Sequence, residues 1–362
     1  MSRYIIFGGF LGAGKTTSMM ALSRASGERG QKAVILVNDL GRKDLVDMEF
    51  TEAMGYAADM IHGGCICFQT EELLDHLRAL RDQEHADIIL SDIPGCGVGA
   101  LEHVYHKLSK EYPGEVTLAP FTAVVDPIRL QRLIPDPVDI HMPEEMDFLF
   151  DQQLVEAELV LLNKMDLLTE EEGASMVAFL QEKYPHAKII PTSAKTGQGM
   201  KEVLDYIMSV DSALPNPYFD LEGPEFAAAE EKLSWYDLQF DVRAEREFPG
   251  NDFITEFVDT IRAALASAGR NAPHLKVMAE DEKGELCKVS LLGIDQPLDV
   301  DLKFAESCRS LSVILNARVA CESDRIQAIS EEALRQTAEA YGLDLEITFT
   351  EGFGMMDEDE EE

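Results

Sequence analysis

The sequence has few basic residues and few cysteines for its length. Only 31 lysines and arginines stand against 68 aspartates and glutamates, which gives a formal net charge of -37 over 362 residues. A surface this acidic repels polyanions, so we expect neither sequence-independent nucleic acid binding nor binding to anionic membranes. Six scattered cysteines do not form the dense framework of a small secreted disulfide protein.

Long apolar runs are also missing. No stretch approaches the roughly 20 apolar residues that span a bilayer, and "MSRYIIFGGFLGAGKTT" does not have the order of a signal peptide. We therefore expect a cytoplasmic protein. The length suits two domains, each able to bury its own core.

The first 210 residues alternate short apolar runs with amphipathic stretches. This order predicts an α/β domain with a doubly wound, mainly parallel sheet and a site at the carboxyl ends of its strands. The predicted strands are "YIIF" (4–7), "AVILV" (33–37), "DIILS" (87–91), "FTAVVD" (121–126), "LVLLN" (159–163) and "KIIP" (188–191).

The remaining chain divides into three predicted parts. Residues 211–231 contain three prolines and no sustained period, which predicts a linker. Residues 232–350 alternate strands and helices in an order that suits a smaller α+β domain of the split βαβ kind. Residues 351–362 end in "DEDEEE", which predicts a solvated, disordered tail.

The segment "GGFLGAGKTT" carries the pattern G-x-x-x-x-G-K-[ST] between a predicted strand and a predicted helix. Its glycines allow backbone N–H groups to face phosphates at the positive end of a helix. Lys15 is expected to contact the β- and γ-phosphates, and the Thr16 hydroxyl to bind Mg²⁺. The predicted phosphate-binding residues are Gly9, Gly12, Ala13, Gly14, Lys15, Thr16 and Thr17.

Three further motifs follow predicted strands. In "DIPG", Asp92 is expected to hold Mg²⁺ and the Gly95 N–H to contact the γ-phosphate. The predicted catalytic residues are therefore Lys15, Thr16, Asp92 and Gly95. In "NKMD" the Asp166 carboxylate is able to accept both guanine N–H donors, which adenine does not offer. The predicted base-binding residues are Asn163, Lys164 and Asp166, with Ser193, Ala194 and Lys195 of "TSAK". Together these motifs predict GTP and GDP as ligands.

These motifs resemble those of the CobW-like GTPases, which are related to the GTPases that assist nickel insertion into urease and hydrogenase. The similarity lies in "GGFLGAGKTT", "VNDLG", "GGCIC" and "NKMDL", and in outline in the smaller C-terminal domain. The resemblance implies a metallochaperone or a cobalamin-related accessory GTPase. It also implies a transition metal such as Zn²⁺ or Co²⁺, a client metalloprotein or corrinoid protein, and a possible homodimer.

The sequence departs from this family in three places. The family has Gly-Cys-x-Cys-Cys, but Phe68 replaces the third cysteine. The second strand ends in "NDLG" where Asn-Glu-x-Gly is more common, and Asp92 stands where the family commonly has Glu. The loss of one thiolate weakens a soft-metal site and changes the metal it selects.

The residues themselves leave the function of Cys65 and Cys67 open. An extended strand or a tight turn would bring their sulfurs to one ion, about 2.3 Å from each. A tetrahedral site then needs two more ligands, for which we predict His62 and Cys96; alternatively, the cysteines are buried structural residues. Other nearby candidates are Asp39, Glu49, and the pair His103 and His106 at i and i+3 of a predicted helix.

Hydrolysis requires a positioned water and stabilisation of phosphoryl charge. No glutamine follows "DIPG" closely, and Arg42 and Lys43 are the nearest cationic candidates. We therefore expect slow intrinsic GTP turnover. Three functions remain open: a GTP-dependent metal or cofactor chaperone, an accessory GTPase that gates cofactor loading or reactivation of a corrinoid enzyme, and a regulatory GTPase without metal.

Overall fold

The structure is a computed structural model that describes residues 1–41, 46–134, 142–215 and 224–354. The chain forms two compact units. The first comprises Met1–Lys43, Asp47–Val138 and Asp147–Gly223, and the second comprises Asp44–Val46, Asp139–Met146 and Pro224–Glu362. Arg42, Lys43, residues 216–223 of the predicted linker and residues 355–362 of the predicted tail lie outside the described residues.

The first unit is built on one sheet whose strands are paired in parallel. Along the sheet the order is β3-β2-β4-β1-β6-β7-β8, and the short β5 pairs with β1. The strands are β1 (Arg3–Gly8), β2 (Ala33–Asp39), β3 (Ala58–His62), β4 (Ile88–Asp92), β5 (Thr117–Leu118), β6 (Thr122–Val125), β7 (Leu159–Leu162) and β8 (Lys188–Pro191).

Helices connect these strands, as parallel pairing requires. They are α1 (Lys15–Gly27), α2 (Val46–Ala53), α3 (Thr70–Asp82), a π-helix (Leu101–His106) continued by α4 (Lys107–Glu111), α5 (Pro127–Leu130), α6 (Glu145–Glu156), a 3₁₀ turn (Met165–Leu167), α7 (Glu170–Lys183) and α8 (Met200–Ser209). Apart from Arg3, every residue of the central strands is buried, so their apolar runs have no alternation. The predicted doubly wound α/β fold is confirmed.

The second unit contains a separate antiparallel sheet. Its order is β12-β11-β10-β13-β9-β14. The strands are β9 (Ser234–Phe248), β10 (His274–Asp281), β11 (Leu286–Leu291), β12 (Asp299–Leu302), β13 (Cys308–Val319) and β14 (Asp344–Gly354), and the helices are α9 (Pro224–Glu230), α10 (Gly250–Ser267) and α11 (Ser323–Tyr341). Every second residue of the inner strands packs with α10 and α11 in one apolar core, which includes Cys287, Cys308 and Cys321.

Two elements differ from the boundaries we predicted. The helix α9 begins at Pro224, inside the segment predicted as a linker, because proline is well suited to the first turn of a helix. The strand β14 continues to Gly354, beyond the predicted start of the tail at 351, because its register along β9 runs to that residue. Within the described part of the chain, no helix is long and apolar enough to cross a membrane.

Candidate nucleotide and metal site

The loop between β1 and α1 has the backbone that phosphate binding requires. Gly9, Gly12 and Gly14 have φ values of 118°, 74° and 99°, in the region that favours glycine. A Cβ on Gly9 would lie 2.2 Å from the Val124 oxygen, so this position excludes any side chain. The helix α1 begins directly after the loop, and its first N–H groups are directed into it.

Lys15 lies across this loop. Its Nζ donates to the carbonyl oxygen of Gly9 at 2.8 Å, which places the ammonium group within the curl of the backbone. Thr16 is half-buried beside it, whereas Thr17 is exposed. An ammonium group and a ring of N–H donors fit the phosphates of a nucleotide.

Asp92 ends β4 and is only 7% exposed. Its carboxylate accepts the backbone N–H of Asn38 at 2.9 Å. Burial raises the pKa of Asp92 to about 7, and nearby Lys15 partly opposes that shift. A buried carboxylate next to a phosphate loop fits Mg²⁺, since a divalent cation stabilises its charged form.

Gly95 brings the following loop against the phosphate loop. A Cβ at Gly95 would lie 2.5 Å from Leu11 Cδ2 and 2.9 Å from the Leu11 nitrogen. Only glycine permits this approach. The γ-phosphate sensor that we predicted is therefore adjacent to the phosphate loop.

The base-binding motif is hydrogen-bonded to the phosphate loop. The Asn163 side chain donates to the Ala13 oxygen at 3.0 Å and accepts the Ala194 N–H at 2.9 Å. Lys164, with φ at 58°, donates from Nζ to the Gly12 oxygen at 2.9 Å. Three loops are thus joined through two side chains.

Asp166 lies on the same side of the unit. Ser193 Oγ donates to Asp166 Oδ1 at 2.6 Å, which orients the carboxylate that we predicted to bind guanine. Lys195 follows with an exposed side chain. The structure therefore brings the predicted base-binding residues of both motifs together.

The cysteine segment is a turn, and the extended alternative is not observed. The strand β3 ends at His62, Gly63 takes φ at 74°, and the N–H groups of Phe68 and Gln69 both donate to the Cys65 oxygen. Cys67 is 6% exposed, and its N–H donates to Cys65 Sγ at 3.4 Å. The adjacent Cys65 thiol, together with burial, raises the pKa of Cys67 well above its ordinary value.

The four predicted transition-metal ligands are not assembled around one point. Among the described residues, which include all four, no group of three or more His, Cys, Asp or Glu side chains is close enough to hold a metal ion. His62 is exposed at the end of its strand, whereas Cys96 is 2% exposed. The two side chains occupy different environments because His62 ends β3, whereas Cys96 lies in the loop that follows β4.

Phe68 has an unusual environment for a large apolar residue, because 81% of it is exposed. Its ring lies 5.9 Å from the ring of His103, which belongs to the π-helix. A surface cavity of about 460 Å³ is lined by Cys67, Phe68, His103 and His106, with Lys107 and other charged residues. His103 Nε2 is buried and has no hydrogen-bond partner in the described structure.

Asn38 is a functional candidate that sequence reasoning missed. Its backbone N–H binds Asp92, and its side chain donates to the oxygens of Ile61 and Gly64 at 3.1 and 2.8 Å. Its Oδ1 accepts the Ile66 N–H at 3.1 Å. The signal was present in "VNDLG", where a polar residue ends an otherwise apolar strand.

The fold and this arrangement of loops define a P-loop GTPase domain. A family model described as "CobW/HypB/UreG, nucleotide-binding domain" matches residues 3–191. The chain belongs to this family, as its motifs suggested, and GTPase is its enzymatic class.

Other GTPases are similar over parts of the chain. GTPase Obg of Moorella thermoacetica is 28% identical over 207 residues, covering 52% of this chain and 42% of that protein. The small ribosomal subunit biogenesis GTPase RsgA of Thermotoga maritima is 33% identical over 118 residues, covering 31% of this chain and 36% of that protein. The chain thus spans less than half the length of these relatives.

Two solved structures are similar at lower identity. Hydrogenase maturation factor HypB from Archaeoglobus fulgidus is 18% identical with a TM-score of 0.39, covering 57% of this chain and 89% of that one. The Zn(II)-bound YjiA GTPase from E. coli is 15% identical with a TM-score of 0.36, covering 92% of this chain and 98% of that one.

Proposed function

We propose that this chain couples GTP binding and hydrolysis to the handling of a transition metal ion or metal cofactor destined for a client metalloprotein. In this proposal the nucleotide state controls when the metal is bound and released, and the segment of Cys65 and Cys67 binds the metal. The membership of the chain in a GTPase family supports the first part. The second part rests on the contacts between the two sites.

Asn38 is the observation that carries the proposal. Asn38 contacts Asp92 through its backbone N–H. Its side chain makes two hydrogen bonds to the cysteine turn, at Gly64 and Ile66, and a third to Ile61 in β3. Asn38 is 3% exposed, and all of these bonds except the partly buried one to Gly64 are shielded from water and costly to break. In this proposal a change in charge at Asp92 is transmitted through Asn38 to the turn that holds the cysteines.

The nucleotide reaction uses the chain's own groups in a defined order. Lys15 and the N–H groups at the start of α1 stabilise negative charge on the phosphates. The Asp92 carboxylate and the Thr16 hydroxyl would hold Mg²⁺, which would neutralise negative charge on the phosphates. Gly95 then contacts the γ-phosphate, and loses that contact after hydrolysis.

In this proposal the two cysteines supply soft-metal ligands from one turn. The Cys65 sulfur and the Cys67 backbone are in hydrogen-bond contact, and thiolates prefer Zn²⁺ and similar ions to hard cations. Metal binding would also lower the pKa of the buried Cys67 thiol, because only the thiolate is a good ligand. Two thiolates leave coordination positions open for exchange with a client.

Metal binding by purified protein tests this proposal. We expect one Zn²⁺ or Co²⁺ per chain, lost in Cys65→Ala and Cys67→Ala, with an affinity that differs between GDP and a GTP analogue. Cys321→Ala is a matched control, because Cys321 is 6% exposed like Cys67 but lies in the core of the second unit. Absence of metal binding with either nucleotide would reject the chaperone function.

A second candidate is a regulatory GTPase that binds no metal. The exposed ring of Phe68 supports this candidate, because this residue stands where the family motif has its third cysteine. In this candidate function Phe68 contacts a partner protein. In this case, and for an accessory GTPase of a corrinoid enzyme, Phe68→Ser would weaken partner binding while Cys65→Ala would leave it unchanged. Phe68→Ser and Cys65→Ala therefore distinguish metal handling from the two alternative functions.

A further inference from the structure

Two buried polar side chains of α6 contact the loop that follows Asp92. Gln153 and Glu156 are each 1% exposed, and both belong to the helix that leads into β7. Neither residue is part of a nucleotide-binding motif. Their contacts are with the backbone of the loop that contains Gly95.

Gln153 binds the loop on both sides of Cys96. Its Nε2 donates to the Gly95 oxygen at 3.0 Å and to the Gly97 oxygen at 3.1 Å. Because carbonyl oxygens only accept, these contacts require the NH₂ end of the amide to face the loop. The Gln153 Oε1 is buried and has no hydrogen-bond partner in the described structure, so donation to the loop is the contact that this amide makes.

Glu156 holds the next part of the same segment. Its two carboxylate oxygens accept the N–H groups of Gly99, at 2.9 Å, and Leu101. Leu101 is the first residue of the π-helix, so the carboxylate binds unpaired N–H groups at a helix start. The two residues of α6 therefore anchor the segment from Gly95 to Leu101 at four backbone groups.

The opposite side of this segment faces the phosphate loop, where Gly95 approaches Leu11 too closely for any side chain. We propose that Gln153 is a positioning residue for γ-phosphate recognition. Its amide holds the carbonyls of Gly95 and Gly97, and thereby keeps the Gly95 N–H against the phosphate loop before GTP binds. The loop is anchored from α6 in advance, which reduces the ordering required when the γ-phosphate arrives.

This inference rests on the GTPase domain and is independent of metal handling. It predicts a selective effect, because GDP has no γ-phosphate and is bound by the phosphate loop and the base motif. In Gln153→Met, which preserves length and removes the donor, we expect the affinity for a non-hydrolysable GTP analogue to fall roughly five- to tenfold. GDP affinity should change by less than about twofold.

The experiment measures both affinities by titration, with Mg²⁺ present and no transition metal, together with single-turnover GTP hydrolysis. Gln152→Met on the same helix is the matched control, and both affinities should stay at their wild-type values. Gln153→Glu keeps length and an acceptor but repels the two carbonyls when charged, so at pH 8 it should lose at least as much GTP-analogue affinity as Gln153→Met.

Retained GDP binding shows that a variant is folded. An equal loss of affinity for GDP and for the analogue would overturn the proposal, since it would mean a general structural role. Unchanged affinity for both would overturn it as well. A selective loss in Gln153→Met and Gln153→Glu, with no loss in Gln152→Met, supports it whether or not the protein binds Zn²⁺ or Co²⁺.

Discussion

The guanine side and the cysteine side of the first unit differ in how completely the chain supplies their contacts. On the guanine side, Asn163 and Lys164 bind phosphate-loop carbonyls, and Asp166 is oriented by Ser193. On the cysteine side, two thiols lie in a turn beside an exposed aromatic ring. The contacts of the first side are in place, whereas the second would need a further ligand or a rearrangement to hold a metal ion.

This difference indicates separate functions for the two sides. A base-binding site that is already assembled gives specificity without a conformational change. In the proposed function, a cysteine pair that supplies only two ligands suits transfer, because an ion with open coordination positions exchanges readily. Single substitutions on each side test this comparison.

The largest effect is expected at the phosphate loop, on which both sides depend. Lys15→Ala should lower the GTP hydrolysis rate by at least about 100-fold, since it removes a positioned cation from the transferring phosphoryl group. Steady-state phosphate release measures this change. Lys201→Ala, at a side chain that is 75% exposed, is the control and should keep the wild-type rate. A modest loss in Lys15→Ala would mean that another group carries the charge.

Specificity on the guanine side should depend on one carboxylate. Asp166→Ala removes two charge-assisted hydrogen bonds to guanine and should weaken GDP binding by about 10- to 200-fold. Binding of ATP should stay weak, so the ratio of GTP to ATP affinity should approach one. Competition titration measures this ratio. If this affinity ratio stayed at the wild-type value in Asp166→Ala, another residue would determine specificity for the base.

The cysteine side should gain function from one substitution. Phe68→Cys restores the third thiol of the family motif and should strengthen Zn²⁺ binding by at least about tenfold. A metal-chelator competition assay measures the change, and Phe68→Ser is the control for simple removal of the ring. Equal affinities in the two variants would show that a thiolate at position 68 does not reach the ion.

A separate effect, on stability, concerns Glu156, which anchors the segment from Gly95 to Leu101. Burial raises the pKa of Glu156 to about 7 from an ordinary 4.5, and nearby Glu102 adds to the shift. Between these values the folded chain binds more protons than the unfolded chain, so the contribution of Glu156 to stability is lost as pH rises through them. We expect the stability of wild type relative to Glu156→Gln to fall between pH 5 and 7.5 by at most about 3 kcal/mol.

Urea unfolding followed by circular dichroism at the two pH values measures this difference. The comparison with Glu156→Gln is needed because many other acidic groups titrate in the same range. A stability difference that did not change with pH would contradict the pKa shift. A stability difference that increased with pH would mean that folding lowers the pKa of Glu156.

Local patterns predicted where the motifs of the nucleotide side lie, because these motifs are short and each follows a strand of the sheet. Gly9, Lys15 and Asn163 each act through contacts that their position in a motif implies. Phe68 and Cys96 were less predictable, since a metal site depends on how loops from different strands meet. Gln153 gave no signal, because a glutamine on an amphipathic helix is ordinary until its contacts are known.

The coupling through Asn38 is tested most directly by Zn²⁺ affinity measured with GDP and with a GTP analogue. We predict at least about a fivefold difference between the two in wild type. The difference should disappear in Asn38→Asp, which keeps an acceptor for Ile66 but loses the donor to Gly64. The same Zn²⁺ affinity with both nucleotides in the wild-type protein would contradict the account.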